Sequence, residues 1–128
     1  MNEQQFIQQT ANYIEKLLTG ESTGHDWWHI YRVWQTTKHI AKEENANTLV
    51  VELAALLHDI ADWKFHNGDD SVGPAKAREY MQSIGVENHI IEHVCQIISE
   101  ISFKGSGVSD KPSTLECKIV QDADRLDA

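Results

Sequence analysis

Residues 48–63 read TLVVELAALLHDIADW. Leu49, Leu53, Leu56, Leu57 and Ile60 recur at three- and four-residue spacing, the period of a helix that turns one face to a core. Gly and Pro are absent from the stretch, so nothing in it breaks a helix. The apolar run then delivers His58-Asp59, and Asp62 follows one turn later. Val51, Ala55, His58 and Asp62 share a face, with small apolar residues leading to a polar end. A lone histidine on a helix usually caps, packs or hydrogen-bonds. An imidazole beside a carboxylate is also a donor pair suited to a divalent cation, nitrogen from one and oxygen with charge from the other.

The rest of the chain repeats the helical period. Phe6, Thr10, Tyr13, Ile14, Leu17 and Leu18 predict a first helix, with Gly20 as its stop. Residues 26–44 form a second, capped by Asp26, with the stripe Trp27, Ile30, Tyr31, Trp34 and Ala41. Residues 64–73 are polar and glycine-bearing and read as a loop. A fourth helix opens near Pro74, a residue tolerated in a first turn, and closes at Gly85. Residues 87–103 are a fifth, and KGSGVSDKP (104–112) is a loop. Ser113 and Glu116 make an S-x-x-E capping box for a last helix, with Leu115, Ile119, Ala123 and Leu126 inward. The expected fold is an all-α bundle of about six helices in a single domain, 1–128. Because the last helix stops among charged residues that look functional, a natural protein continuing past residue 128 is expected.

Composition narrows the function classes. The formal charge is −9, from 11 Lys and Arg against 20 Asp and Glu, which argues against binding a nucleic-acid backbone. A phosphate-bearing small molecule is compatible with that charge, because a held cation reverses the local field. Cys95 and Cys117 are the two cysteines and form no CxxC motif, which fits a reducing compartment. No basic-then-apolar leader opens the chain, and no apolar run approaches the roughly 20 residues that span a bilayer. The reading is a cytoplasmic protein without a membrane partner.

Three separated blocks carry a resemblance. GHDWWHIYRVW (24–34) holds His29, ALLHDIAD (55–62) holds His58-Asp59, and KIVQDADRLDA (118–128) holds Asp124. In this order they resemble the signature blocks of the HD superfamily of metal-dependent phosphohydrolases, whose ligand order is H…HD…D. The form around His29 and the last block are similar to a subgroup of stand-alone bacterial HD hydrolases. The resemblance implies an HD-domain helical bundle in which His29, His58, Asp59 and Asp124 hold a metal. It places Asp62 where some relatives carry an acidic residue that helps to activate water. The implied reaction is hydrolysis of a phosphoester, of a nucleotide or related metabolite, by a metal-activated water. Asp62 or Asp59 would handle the proton. Arg32, one turn after His29, would order a ligand carboxylate or meet a phosphate oxygen, and Lys64 and His66 would contact phosphate.

Mixed nitrogen and oxygen donors point to one transition-metal ion, Mn²⁺, Fe²⁺, Co²⁺, Ni²⁺ or Zn²⁺, with Mg²⁺ chemically allowed. Relatives often place a histidine where ISEISF (98–103) has Ile101, so a single metal is expected. His25 and His29 are four apart, as are His89 and His93. His25 is read as a supporting or surface residue, His89 and His93 as structural or exposed with His93 the better candidate for a supporting role, and His39 as surface. Trp28 and Trp63 adjoin ligand positions and are the tryptophans to watch for a pocket role. Two other readings remain: a metal-stapled binding or regulatory module without turnover, and a dimerising bundle without metal. A homodimer is left open.

Overall fold

The computed structural model describes residues 2–19, 27–58, 60, 72–102 and 114–127. Among them are six helices and no strand: α1 (Glu3–Thr19), α2 (Trp27–Glu44), α3 (Thr48–Leu57), α4 (Val72–Ile84), α5 (Asn88–Ser102) and α6 (Leu115–Leu126). This is the all-α bundle the periodicity predicts.

The decisive segment lies at the centre. Every residue of α3 from Leu49 to Leu57 is buried, and α1, α2, α5 and α6 all pack on it. A helix apolar all round has no solvent face, so it must be enclosed. Asn47 caps its start, the side chain accepting from the Val50 amide at 3.2 Å. The one polar side chain along its middle, Glu52, is buried but accepts a hydrogen bond from Trp34 Nε1 at 2.9 Å. That bond ties α2 to α3 and removes the penalty of an unpaired buried acceptor.

Left-handed residues end two helices. Asn45, at φ 62°, follows α2, and the Ala46 amide reaches back to the Ala41 carbonyl at 3.2 Å. Gly85, at φ 88°, follows α4, where Val86 N–H reaches the Met81 carbonyl at 3.1 Å. Both are six-to-one closures that satisfy terminal carbonyls. Asn tolerates this conformation and Gly adopts it freely.

Several local expectations are corrected. The third helix ends at Leu57, with His58 as its C-cap, and residues 59 and 61–63 of its expected span lie outside the described residues. The α6 N-cap is Thr114, which accepts from Cys117 N–H at 3.1 Å, while the expected cap Ser113 lies outside the described residues. Glu116 accepts from the Asn47 amide at 3.0 Å. Leu115 and Leu126 are exposed, and α6 turns Cys117, Ile119, Val120, Ala123 and Asp124 inward. A buried face containing Asp124 follows from that rotation. Tyr31 is also on the outside of α2, edge-on to Trp28 and Trp34, while Val33 and Thr37 fill the core stripe. The fourth helix opens at Val72, ahead of Pro74. Gly20 and Asp26 lie outside the described residues.

Candidate metal centre

Three helix ends meet around one point. His29 is in the first turn of α2, His58 closes α3, and Asp124 is in the last turn of α6. Asn47 and Glu116 meet at the starts of α3 and α6, while His58 and Asp124 meet at their ends. The two helices therefore run parallel and deliver both carbonyl-rich termini to the site, a field that favours a cation.

Each imidazole has its tautomer set by what faces Nδ1. His58 is buried, and its Nδ1 lies 2.7 Å from the Ala55 carbonyl. A carbonyl oxygen only accepts, so Nδ1 carries the hydrogen and, in the neutral ring, Nε2 presents its lone pair. His29 Nδ1 lies 2.6 Å from Asp127 Oδ2. The Arg32 hydrogen bond, and after it the His29 one, hold the Asp127 carboxyl below the usual carboxylate range. It is ionised at neutral pH, so His29 Nδ1 is also the donor.

Both Nε2 atoms then point at the same carboxylate. His29 Nε2 and His58 Nε2 each lie 3.3 Å from Asp124 Oδ1. The rings are edge-on, with centroids 5.8 Å apart. One ligand atom from each of the three residues lies within 4.8 Å of the others. Two imidazole nitrogens and a carboxylate oxygen held this close are stabilised by a positive charge between them, a proton or a metal ion. The spacing fits a metal: bonds of about 2.0–2.2 Å to nitrogen and oxygen give tetrahedral ligand edges of about 3.3–3.6 Å. The donor set suits a divalent transition ion.

The structure thus brings together three residues singled out in the sequence, His29, His58 and Asp124. Asp59, Asp62, Trp63, Lys64, His66 and His25 lie outside the described residues. Arg32 is beside the centre but turns to Asp127, donating from Nε to Oδ1 at 2.6 Å and from Nη2 to Oδ2 at 3.1 Å. Asp127 itself was not anticipated. The signal was present: it stands one helical turn after Asp124, and α2 and α6 are neighbours.

His93 is elsewhere. It meets Thr114 Oγ1 at 3.1 Å, at the opposite end of α6 from Asp124, about 15 Å along the helix at 1.5 Å per residue. This agrees with the structural reading of His93 and sets it apart from the metal centre. His39 and His89 are exposed, each near a glutamate. Ile101 is buried in the core. Trp28 is 61% exposed and edge-on to Tyr31. No helix is long and apolar enough to cross a membrane among the described residues.

Comparison with known proteins agrees with this geometry. The HD domain family model matches residues 27–128. The Bacillus subtilis protein YpgQ is 38% identical over 131 aligned positions, which cover all of this chain and 62% of that protein. The crystal structure of an HD-superfamily hydrolase from Bacillus thuringiensis superposes with a TM-score of 0.79 at 32% identity, covering 98% of this chain and 59% of the other. The crystal structure of YpgQ in complex with ADP superposes with a TM-score of 0.77 at 32% identity, covering 99% and 60%. The chain spans about six-tenths of the length of these relatives. With its three donors set on α2, α3 and α6 and the family model matched from the first turn of α2 onward, this chain belongs to the HD domain family.

Proposed function

We propose that this chain carries the metal centre of a phosphohydrolase acting on a small phosphoester. The observation that carries the reading is the convergence of three lone-pair donors, His29 Nε2, His58 Nε2 and Asp124 Oδ1, with both Nδ1 hydrogens already committed. Asp59, adjacent in sequence to His58, would be the fourth ligand. A divalent ion bound there lowers the pKa of water and offsets charge on a phosphoryl oxygen. The chain's own part is to hold the donors on three rigid helix ends. Asp62 would take the proton from water, and Lys64 and His66 would meet the phosphate. The ADP complex of YpgQ supports a nucleotide or a similar phosphate compound as the substrate class. The net charge of −9 disfavours a polynucleotide backbone.

The test is metal analysis of untagged protein, followed by a panel of phosphoesters with and without chelator. Hydrolysis that a chelator abolishes and Mn²⁺ or another transition ion restores is the expected result. His58→Ala and Asp124→Asn should lose metal and turnover together. Retention of both by either variant would overturn the site. The second reading, a metal staple, draws on the donors coming from three separate helices. It predicts tight metal binding and a chelator-dependent drop in Tm with no turnover on any member of the panel.

A further inference from the structure

We infer that Asp127 is a positioning residue for the metal centre, setting the tautomer and orientation of His29, and that Arg32 acts on the centre through it. The inference rests on reading His29, His58 and Asp124 as a cation site. The two histidines reach that site by different means. His58 is enclosed, and a main-chain carbonyl of its own helix fixes its ring. His29 has about 29% of its side chain exposed. Two carboxylates one turn apart at the end of α6 face its ring. Asp127 Oδ2 meets Nδ1 at 2.6 Å, and Asp124 Oδ1 faces Nε2 at 3.3 Å. The imidazole is bracketed edge to edge between them.

Asp127 is in turn held by a fork. Arg32 gives one oxygen Nε and the other Nη2, a bidentate grip that fixes the carboxylate plane. The oxygen that meets Nη2 is the one that accepts from His29. A chain therefore runs Arg32, Asp127, His29, and its last member carries a lone pair into the centre. Arg32 and His29 are three residues apart on α2, so one carboxylate on α6 clamps both at once. A ligating histidine whose second nitrogen donates to a carboxylate is more basic and better aligned than one whose ring is loose. Removing such a partner costs about 10- to 100-fold in metal affinity.

The test has two readouts, both on the full-length protein. The first is the ring ¹⁵N spectrum of the metal-stripped protein. Wild type should show His29 with Nδ1 protonated, and Asp127→Ala should move it toward the Nε2-protonated form that free imidazole side chains favour. The second is calorimetric titration of stripped protein with Mn²⁺. Asp127→Ala should bind about 10- to 100-fold more weakly, with helical content unchanged. Asp127→Asn keeps an acceptor oxygen for Nδ1 but loses the charge that grips Arg32, and should fall between. Arg32→Lys, which cannot reproduce the fork, should show a smaller loss than Asp127→Ala. An Asp127→Ala protein with wild-type tautomer and wild-type Mn²⁺ affinity would overturn the inference. His58→Ala separates the two levels. If it binds Mn²⁺ as wild type does, the cation site itself is misassigned. If it loses binding while Asp127→Ala does not, only the role of Asp127 falls.

Discussion

The two ends of α3 make an instructive pair, because both meet α6 through polar side chains and only one of them looks functional. At the start, the Asn47 side chain caps Val50 and the Asn47 amide donates to Glu116. Glu116 lies 3.8 Å from His93, and Thr114 caps Cys117 and meets His93. These contacts join the starts of α3 and α6 to α5. At the other end, His29, His58 and Asp124 bring three acceptors together, with the ring hydrogens directed away at Asp127 and Ala55. A cluster of caps and hydrogen bonds holds helices together, whereas two imidazole nitrogens and a carboxylate oxygen within 4.8 Å of one another form a donor set suited to a cation. Cavity size would have misled here. A groove of about 440 Å³ opens at the start of α3, among Phe6, Asn47, Leu49, Val86 and Ile90, and of its charged residues His89 pairs with Glu87 at 3.4 Å.

The largest effect that tests this contrast is removal of a donor. Asp124→Ala should weaken metal binding by more than the about 10- to 100-fold expected for losing an outer partner such as Asp127. The matching change at the other end, Glu116→Ala, should leave Mn²⁺ affinity at the wild-type value. Calorimetric titration of both proteins checks the pair. Equal losses at the two ends would erase the distinction between a helix-joining cluster and a cation site.

Metal removal is the next largest. If the ion binds only the folded chain, saturation at 100 times Kd adds about 2.7 kcal/mol, which a chelator withdraws. That loss should be visible as a drop in Tm in wild type and absent in His58→Ala. A comparable cost, about 2–5 kcal/mol, is expected for Leu53→Ala in the middle of α3, by transfer and cavity terms together. Its stability loss should appear in denaturant titration, with metal affinity retained where the protein is folded. The combination separates holding the helix from holding the ion.

How much of this was legible in the sequence follows the same division. The central helix was legible because an apolar run with helical period can be buried in few ways. His58 stood out because it broke that pattern at a helix end, whereas Asp124 alone reads as part of a solvated acidic face and was legible only through the resemblance carried by KIVQDADRLDA. Asp127 was missed because its meaning lies in the α2–α6 contact, which no local period encodes. The rotation of α6 was misjudged for a related reason. Leu115 and Leu126 are apolar, so the pattern turned them inward, but they sit at the helix ends beyond the buried face. Thr114 caps α6 one residue past the expected Ser113, which lies outside the described residues, and a helix boundary is fixed only to within a residue or two by pattern. Glu116 binds the start of a different helix.

At the helix-joining end of the comparison, Asn47→Ala should cost about 1 kcal/mol, the ordinary worth of an N-cap, measured by urea unfolding. The effect belongs to α3 alone, since the Asn47 amide that donates to Glu116 survives the substitution. Metal affinity should not change. A loss of affinity would mean that α3 transmits position from one end to the other, and the two clusters would no longer be independent.

The smallest effect comes from a polar pair that belongs to neither end. Arg78 on α4 and Glu92 on α5 form a bidentate ion pair on the surface. The Arg78 hydrogen bond holds the Glu92 carboxyl below the usual range, so the pair adds stability above the unfolded carboxylate pKa of about 4.3 and loses it as pH falls through the lowered value. Solvent and salt screen it, as they do most exposed pairs. Arg78→Ala should therefore change Tm at neutral pH by an amount close to the error of the measurement, and the two proteins should converge in acid. This pair has matched charges but no enclosure, the start of α3 joins caps and side chains within the bundle, and the end of α3 gathers two imidazoles and a carboxylate that fit a cation. Of the three, only the last should respond to a metal ion, and Mn²⁺-dependent Tm shifts across Arg78→Ala, Asn47→Ala and Asp124→Ala would show whether it does.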